Sequence, residues 1–120
     1  MRRFLKYISY LYTLNYTMDS QILENIRTLK RRLLPNDRLI LFGSQARGDA
    51  RPGSDWDLLM LLDKNKITYE DENTYAYPFA EMGWNYGIYI SVKIYTKKEW
   101  QGCSFTPFYH NVQKDGILIS

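Results

Sequence analysis

A chain of 120 residues with 16 basic and 13 acidic side chains has room for one domain and one core. Arg2, Arg3 and Lys6 are the only charges in residues 1–17, so residues 18–120 carry thirteen of each sign, and that neutral body excludes a nucleic-acid duplex as the main partner. The single cysteine, Cys103, excludes an intramolecular disulfide framework and suits a reducing cytoplasm.

Residues 1–17 place basic side chains before an aromatic stretch, as a signal peptide would. Ser9, Thr13 and Asn15 break the apolar part, no small-residue cleavage site comes after it, and the stretch is too short to span a bilayer. Their composition differs sharply from that of residues 18–120, and Met18 stands directly before Asp19-Ser20, a candidate helix N-cap. The expectation is an extension of the reading frame before a domain at 18–120. The alternative is an aromatic arm for a membrane surface or a partner.

From Asp19, the positions Ile22, Leu23, Ile26, Leu29 and Leu33 follow helical spacing, and Pro35 stops the element. The basic residues Lys30, Arg31 and Arg32 suit the helix C-terminal dipole. Arg38 to Phe42 then reads as a first strand, and Asp55 to Leu62 as a second, apolar on both faces beyond the acids and therefore central. Trp56 is expected in the core. Between the strands lie Gly43-Ser44, the basic residues Arg47 and Arg51, and a polar turn at residues 49–54.

This stretch carries the chemistry. In an extended strand Asp55 and Asp57 share a face with Cα atoms about 6–7 Å apart, so both carboxylates can reach one cation. Hard cations such as Mg²⁺ take carboxylate oxygens and keep substrate phosphates among their ligands. Gly43 allows a tight turn and close approach of backbone to ligand, and a short helix opening at Ser44 would aim N–H groups and a hydroxyl at phosphate oxygens. Arg47 and Arg51 either add charge against those phosphates or are ordinary surface charge.

Farther along, residues 64–66 read as a turn, and Thr68 to Met82 as a helix with Glu70, Asp71 and Glu72 in its first turn and Pro78 as a kink or break. Tyr75, Tyr77, Phe79 and Trp84 are expected in the core or an interface. Residues 83–87 end that element. Ile88 to Tyr95 alternates, with Ile88, Ile90, Val92 and Ile94 on one face and Tyr89, Ser91, Lys93 and Tyr95 on the other, the mark of a third strand. Residues 96–100 read as a helical turn, and Thr106-Pro107 opens a last helix to about Asp115-Gly116. Ile117 to Ile119 is an apolar end that pairs or packs, and His110, with no companion ligand at metal spacing, is expected in solvent rather than on zinc.

Gly43-Ser44, the ten-residue spacer 45–54 and Asp55-Trp56-Asp57 resemble the nucleotidyltransferase superfamily of DNA polymerase β type, and within it the minimal nucleotidyltransferases. Ala46-Arg47-Gly48 and Ser54 before Asp55 are similar too; the likeness is firm over 38–63 and follows general layout from about 19 to 118. The resemblance implies an α/β fold with a small mixed sheet flanked by helices, Mg²⁺ on Asp55 and Asp57, and a phosphate contact from Ser44, with Gly43 and Arg47 as the other candidate nucleotide-binding residues. It also implies transfer of AMP from ATP to a hydroxyl of a protein or small molecule, and an antitoxin role beside a small helical protein of the HEPN type; the oligomeric state stays open.

One feature departs from that pattern. Active members carry a third carboxylate on the later strand, where this chain offers Ser91 or Lys93, so Glu81 and Glu99 are the nearest replacement acids. Lys93 is either solvated or a fixed cation beside the aspartates. The competing expectation is therefore a binding protein whose transferase site has fallen silent. An aminoglycoside-modifying enzyme would need an acidic cleft and a second domain, for which the chain is short.

Overall fold

The apolar run after Asp57 sets the layout, because a strand with no polar face must be covered on both sides. In the computed structural model, which describes residues 19–120, that run is β2 (Trp56–Leu62), and Leu58 through Leu62 are all buried. The expectations for residues 1–17 lie outside the described residues. β2 pairs antiparallel with β1 (Arg38–Phe42) and parallel with β3 (Ile90–Thr96), and β4 (Ile117–Ile119) adds antiparallel to the far side of β1. The result is a four-stranded mixed sheet of order β3-β2-β1-β4.

Helices close both faces. α1 (19–33) sends Ile22, Ile26 and Leu29 into one core with Leu39, Leu41, Trp56, Leu58 and Met60, and Phe79 from α4 (Tyr77–Asn85) completes it. On the other face Leu59 and Leu61 meet Trp100 of α5 (Lys97–Gly102) and Val112 of α6 (Pro107–Asp115). α2 (Ser44–Arg47) is a single turn between β1 and β2, and α3 (Tyr69–Asp71) opens the helical run that ends at Asn85.

Thr68 caps α3 with a reciprocal box, accepting from the Asp71 amide while the Asp71 carboxylate accepts from the Thr68 amide. Lys64 donates to the same carboxylate at 2.9 Å, and this bond holds Asp71 below the ordinary carboxylate range. Pro78 neither ends the helix nor stands in a regular one. A π turn at Glu72–Ala76, with the Tyr77 amide donating to the Glu72 carbonyl, precedes it and relieves the clash its ring would make with the preceding turn.

The strands and helices fall where hydrophobic period predicts, with shifted ends. Asp55 precedes β2 rather than opening it, the helix expected to stop at Met82 runs to Asn85, and the third strand starts at Ile90 rather than Ile88. Of the four aromatics expected in core or interface, Phe79 is fully buried and Tyr75 packs at the core edge. Tyr77 and Trp84 instead stack edge-on at 5.8 Å in the open. His110 is exposed as expected. Among the described residues no helix is long and apolar enough to cross a membrane.

Candidate functional site

β1 delivers the chain to Gly43, whose φ of 76° and ψ of −158° lie in a region essentially restricted to glycine. That turn aims the backbone at Asp57: a Cβ on Gly43 would collide with the Asp57 carboxylate oxygen Oδ2 and lie 3.3 Å from its Cγ. Ser44 starts α2, a single turn in which the Ala46 and Arg47 amides donate to the Gly43 carbonyl and the Ser44 and Gln45 amides have no partner within the helix. Gly48, at φ 79°, ends the turn.

The loop between α2 and β2 is braced at both ends. The Gln45 side chain donates to the Ser54 carbonyl at 3.3 Å, and Arg51 and Ser54 close a turn through two bonds of 2.9 Å, one between their backbones and one from the Arg51 amide to the Ser54 hydroxyl. Trp56, buried at 4% exposure, then anchors the start of β2, and its amide donates to the Tyr89 carbonyl at 3.0 Å. Alternation about this buried ring leaves Asp55 exposed and Asp57 half-buried.

Asp57 stands at the meeting of three strands, paired with Phe42 on β1 and Ser91 on β3. Burial is the main force that holds its carboxyl above the ordinary value of 3.8, and the negative charge of Asp55 adds to it; Lys93 and Arg47 pull the other way. Two repelling carboxylates beside a turn without a side chain are a donor set that suits a hard divalent cation completed by phosphate or water oxygens, so the pair fits Mg²⁺. Among the described residues no group of three or more His, Cys, Asp or Glu side chains comes together at a metal spacing.

Of the residues singled out from the sequence, Gly43, Ser44, Asp55 and Asp57 come together at this end of the sheet. Arg47 is near enough for its charge to reach Asp57, yet its Nε is held by Asp49 Oδ2 at 3.2 Å. Neither replacement acid is here. Glu99 closes the capping box of α5, accepting from the Thr96 amide at 3.1 Å, and Thr96 pairs with Leu62 at the opposite end of β2. Glu81 lines a groove of about 300 Å³ between α1 and α4, with Asn25, Arg32 and Met82.

Sequence reasoning passed over Phe42 and Phe108. Phe42 stands opposite Asp57, Phe108 meets it edge-on at 5.3 Å, and the Lys93 ammonium lies 5.7 Å from the Phe108 ring centroid. The alternation of β1 put Phe42 on this face, but nothing local to β3 says that α6 lies over Lys93.

A nucleotidyltransferase domain model matches residues 21–118 of the chain. No curated protein is similar to it in sequence. Solved structures share the fold, among them the two that follow. A Sulfolobus solfataricus protein assigned provisionally as a nucleotidyltransferase is 18% identical with a TM-score of 0.58, over 87% of this chain and 84% of that one. A chain of a toxin–antitoxin structure determined with AMP-PNP is 18% identical with a TM-score of 0.52, over 82% of this chain and 72% of that one. With a matching domain that takes in the Gly43 turn, the aspartates, β1 to β3 and the start of β4, the chain belongs to the nucleotidyltransferase domain family and has a polymerase-β-like fold.

Proposed function

We propose that residues 18–120 form a Mg²⁺-dependent nucleotidyltransferase that moves AMP from ATP to a hydroxyl on a partner protein or small molecule, acting in the cytoplasm as the antitoxin of a small helical HEPN-type protein. The observation that carries this reading is the abutment of the Gly43 turn and the Asp57 carboxylate, so close that Gly43 has no room for a side chain. The toxin–antitoxin relative determined with AMP-PNP supports both the nucleotide and the kind of partner.

In this reading Gly43, the Ser44 hydroxyl, the first amides of α2 and Arg47 orient the triphosphate, and Asp55 and Asp57 hold the metal. Mg²⁺ bound there would neutralise charge on the phosphates. The acceptor oxygen forms a bond to the α-phosphorus, its hydroxyl proton passes to water, the bond from the α-phosphorus to the bridging β-phosphate oxygen breaks, and pyrophosphate leaves with that electron pair. Half-burial of Asp57 and the rigid turn supply positioning, the main contribution a protein makes to such a transfer.

A second reading has its own support. With Glu81 and Glu99 elsewhere and a cation on the aspartate face, the domain would bind nucleotide and partner without transfer. Intact mass of proteins captured on the chain after incubation with Mg²⁺ and ATP separates the two. Transfer predicts an added AMP on the captured protein, reduced at least about a hundredfold in rate by Asp55→Asn with Asp57→Asn, because charge stabilisation by a metal is worth several kcal/mol. Unchanged masses with undiminished capture by both forms would overturn it in favour of the silent binder.

A further inference from the structure

Lys93 is a cation on the aspartate face of the sheet with no acidic partner among the described residues. It pairs with Leu59 on β2, one pleat repeat beyond the Asp57–Ser91 pair and on the same face. Its stem crosses to α6, where the ammonium is 5.7 Å from the centre of the Phe108 ring. Phe108 in turn rests edge-on against Phe42, the residue opposite Asp57. An aromatic face attracts an ammonium through its quadrupole and takes none of its three N–H donors away from oxygen acceptors.

The neighbouring cation is not equally free. Arg47 is engaged by Asp49 at 3.2 Å, whereas the exposed Lys93 ammonium has no ion pair among the described residues and lies over the aromatic ring. Its charge is nonetheless felt across the site, since it lowers the Asp57 carboxyl against the effect of burial. A triphosphate brought beside Asp55 and Asp57 adds further negative charge to a pair that already repels itself, so binding needs positive charge from somewhere.

We propose that Lys93 is a phosphate-binding residue of the nucleotide site, a fixed cation that lets a nucleoside triphosphate bind in the absence of a divalent metal. The inference rests on the nucleotide reading above and concerns binding, not the transfer step. It separates the two: charge on the protein retains the nucleotide, and the metal on the aspartates is needed only for chemistry.

Titration calorimetry with ATP, in excess Mg²⁺ and in EDTA, on the full chain and its Lys93→Met and Lys93→Arg variants tests this. Met keeps an unbranched stem over Phe108, and Arg keeps the charge. The expected result is measurable binding by the wild type in EDTA, weakened about tenfold or more by Lys93→Met, as for loss of a charge-assisted hydrogen bond, and restored by Lys93→Arg. The loss should shrink as salt is raised. Binding by the wild type only with Mg²⁺, or equal binding in EDTA by wild type and Lys93→Met, overturns the role of Lys93 and leaves the nucleotide reading intact. No binding in either buffer overturns both.

Discussion

On one face of β2, Trp56, Leu58, Met60 and Leu62 lie under α1 and α4 with almost no surface left to water. On the other, Leu59 and Leu61 are as deeply buried under α5 and α6, but the row begins with Asp57, a half-buried carboxylate whose ionisation is opposed by burial. One strand thus serves two purposes by parity alone. Even positions build the core; the first odd position, with Gly43 beside it, gives up stability to keep a charge near the surface. Proteins commonly accept such a local cost where a ligand is to be held.

The comparison breaks most visibly on the core face. Phe79→Ala removes a fully buried ring from the cluster under α1 and should cost about 3–5 kcal/mol in urea unfolding, while nucleotide affinity per folded molecule stays at the wild-type value. Loss of affinity in proportion to stability would mean that the two faces are not independent. Gly43→Ala acts on the other face. It forces an ordinary residue into a glycine-only conformation, worth about 1–3 kcal/mol, and drives its Cβ into the Asp57 carboxylate, so ATP affinity should fall together with stability.

Asp57→Asn is the smallest and most pointed change. A carboxyl held above its ordinary value stabilises the fold below about pH 3.8, and that contribution is lost as pH rises through the higher folded-state value. Removing the charge should therefore leave the protein slightly more stable than wild type at neutral pH, with the difference closing as the pH falls toward that ordinary value. Denaturation midpoints across pH 3 to 7 would show it. A variant less stable than wild type at neutral pH would mean that the carboxylate contributes to the fold.

Much of this was readable in advance because it is written in local period. The spacing of Ile22, Ile26 and Leu29, the unbroken apolar run after Asp57 and the alternation from Ile90 to Ile94 each specify an element and the side it buries. The Gly43 turn and the aspartates were readable because a short loop joins them. What escaped depends on distant partners. Ile117 to Ile119 could only be called apolar until β1 was seen beside it, and Lys93 could be solvated or engaged until Phe108 arrived from α6. Pro78 signalled a disturbance without its form, since a widened turn and a broken helix both relieve the same clash.

The strand order β3-β2-β1-β4 also divides the site by how much chain each contact must close. β1 and β2 are joined by a short loop, so the hairpin that brings Gly43 to Asp57 closes at small entropic expense. β3 reaches β2 only across the helical crossover, and β4 reaches β1 across most of the described domain, so both pairings close much longer stretches of chain. The half of the site that holds the acids thus rests on local contacts. The half that brings Lys93 rests on distant ones, so the place of that lysine beside the acids depends on the crossover and on α6.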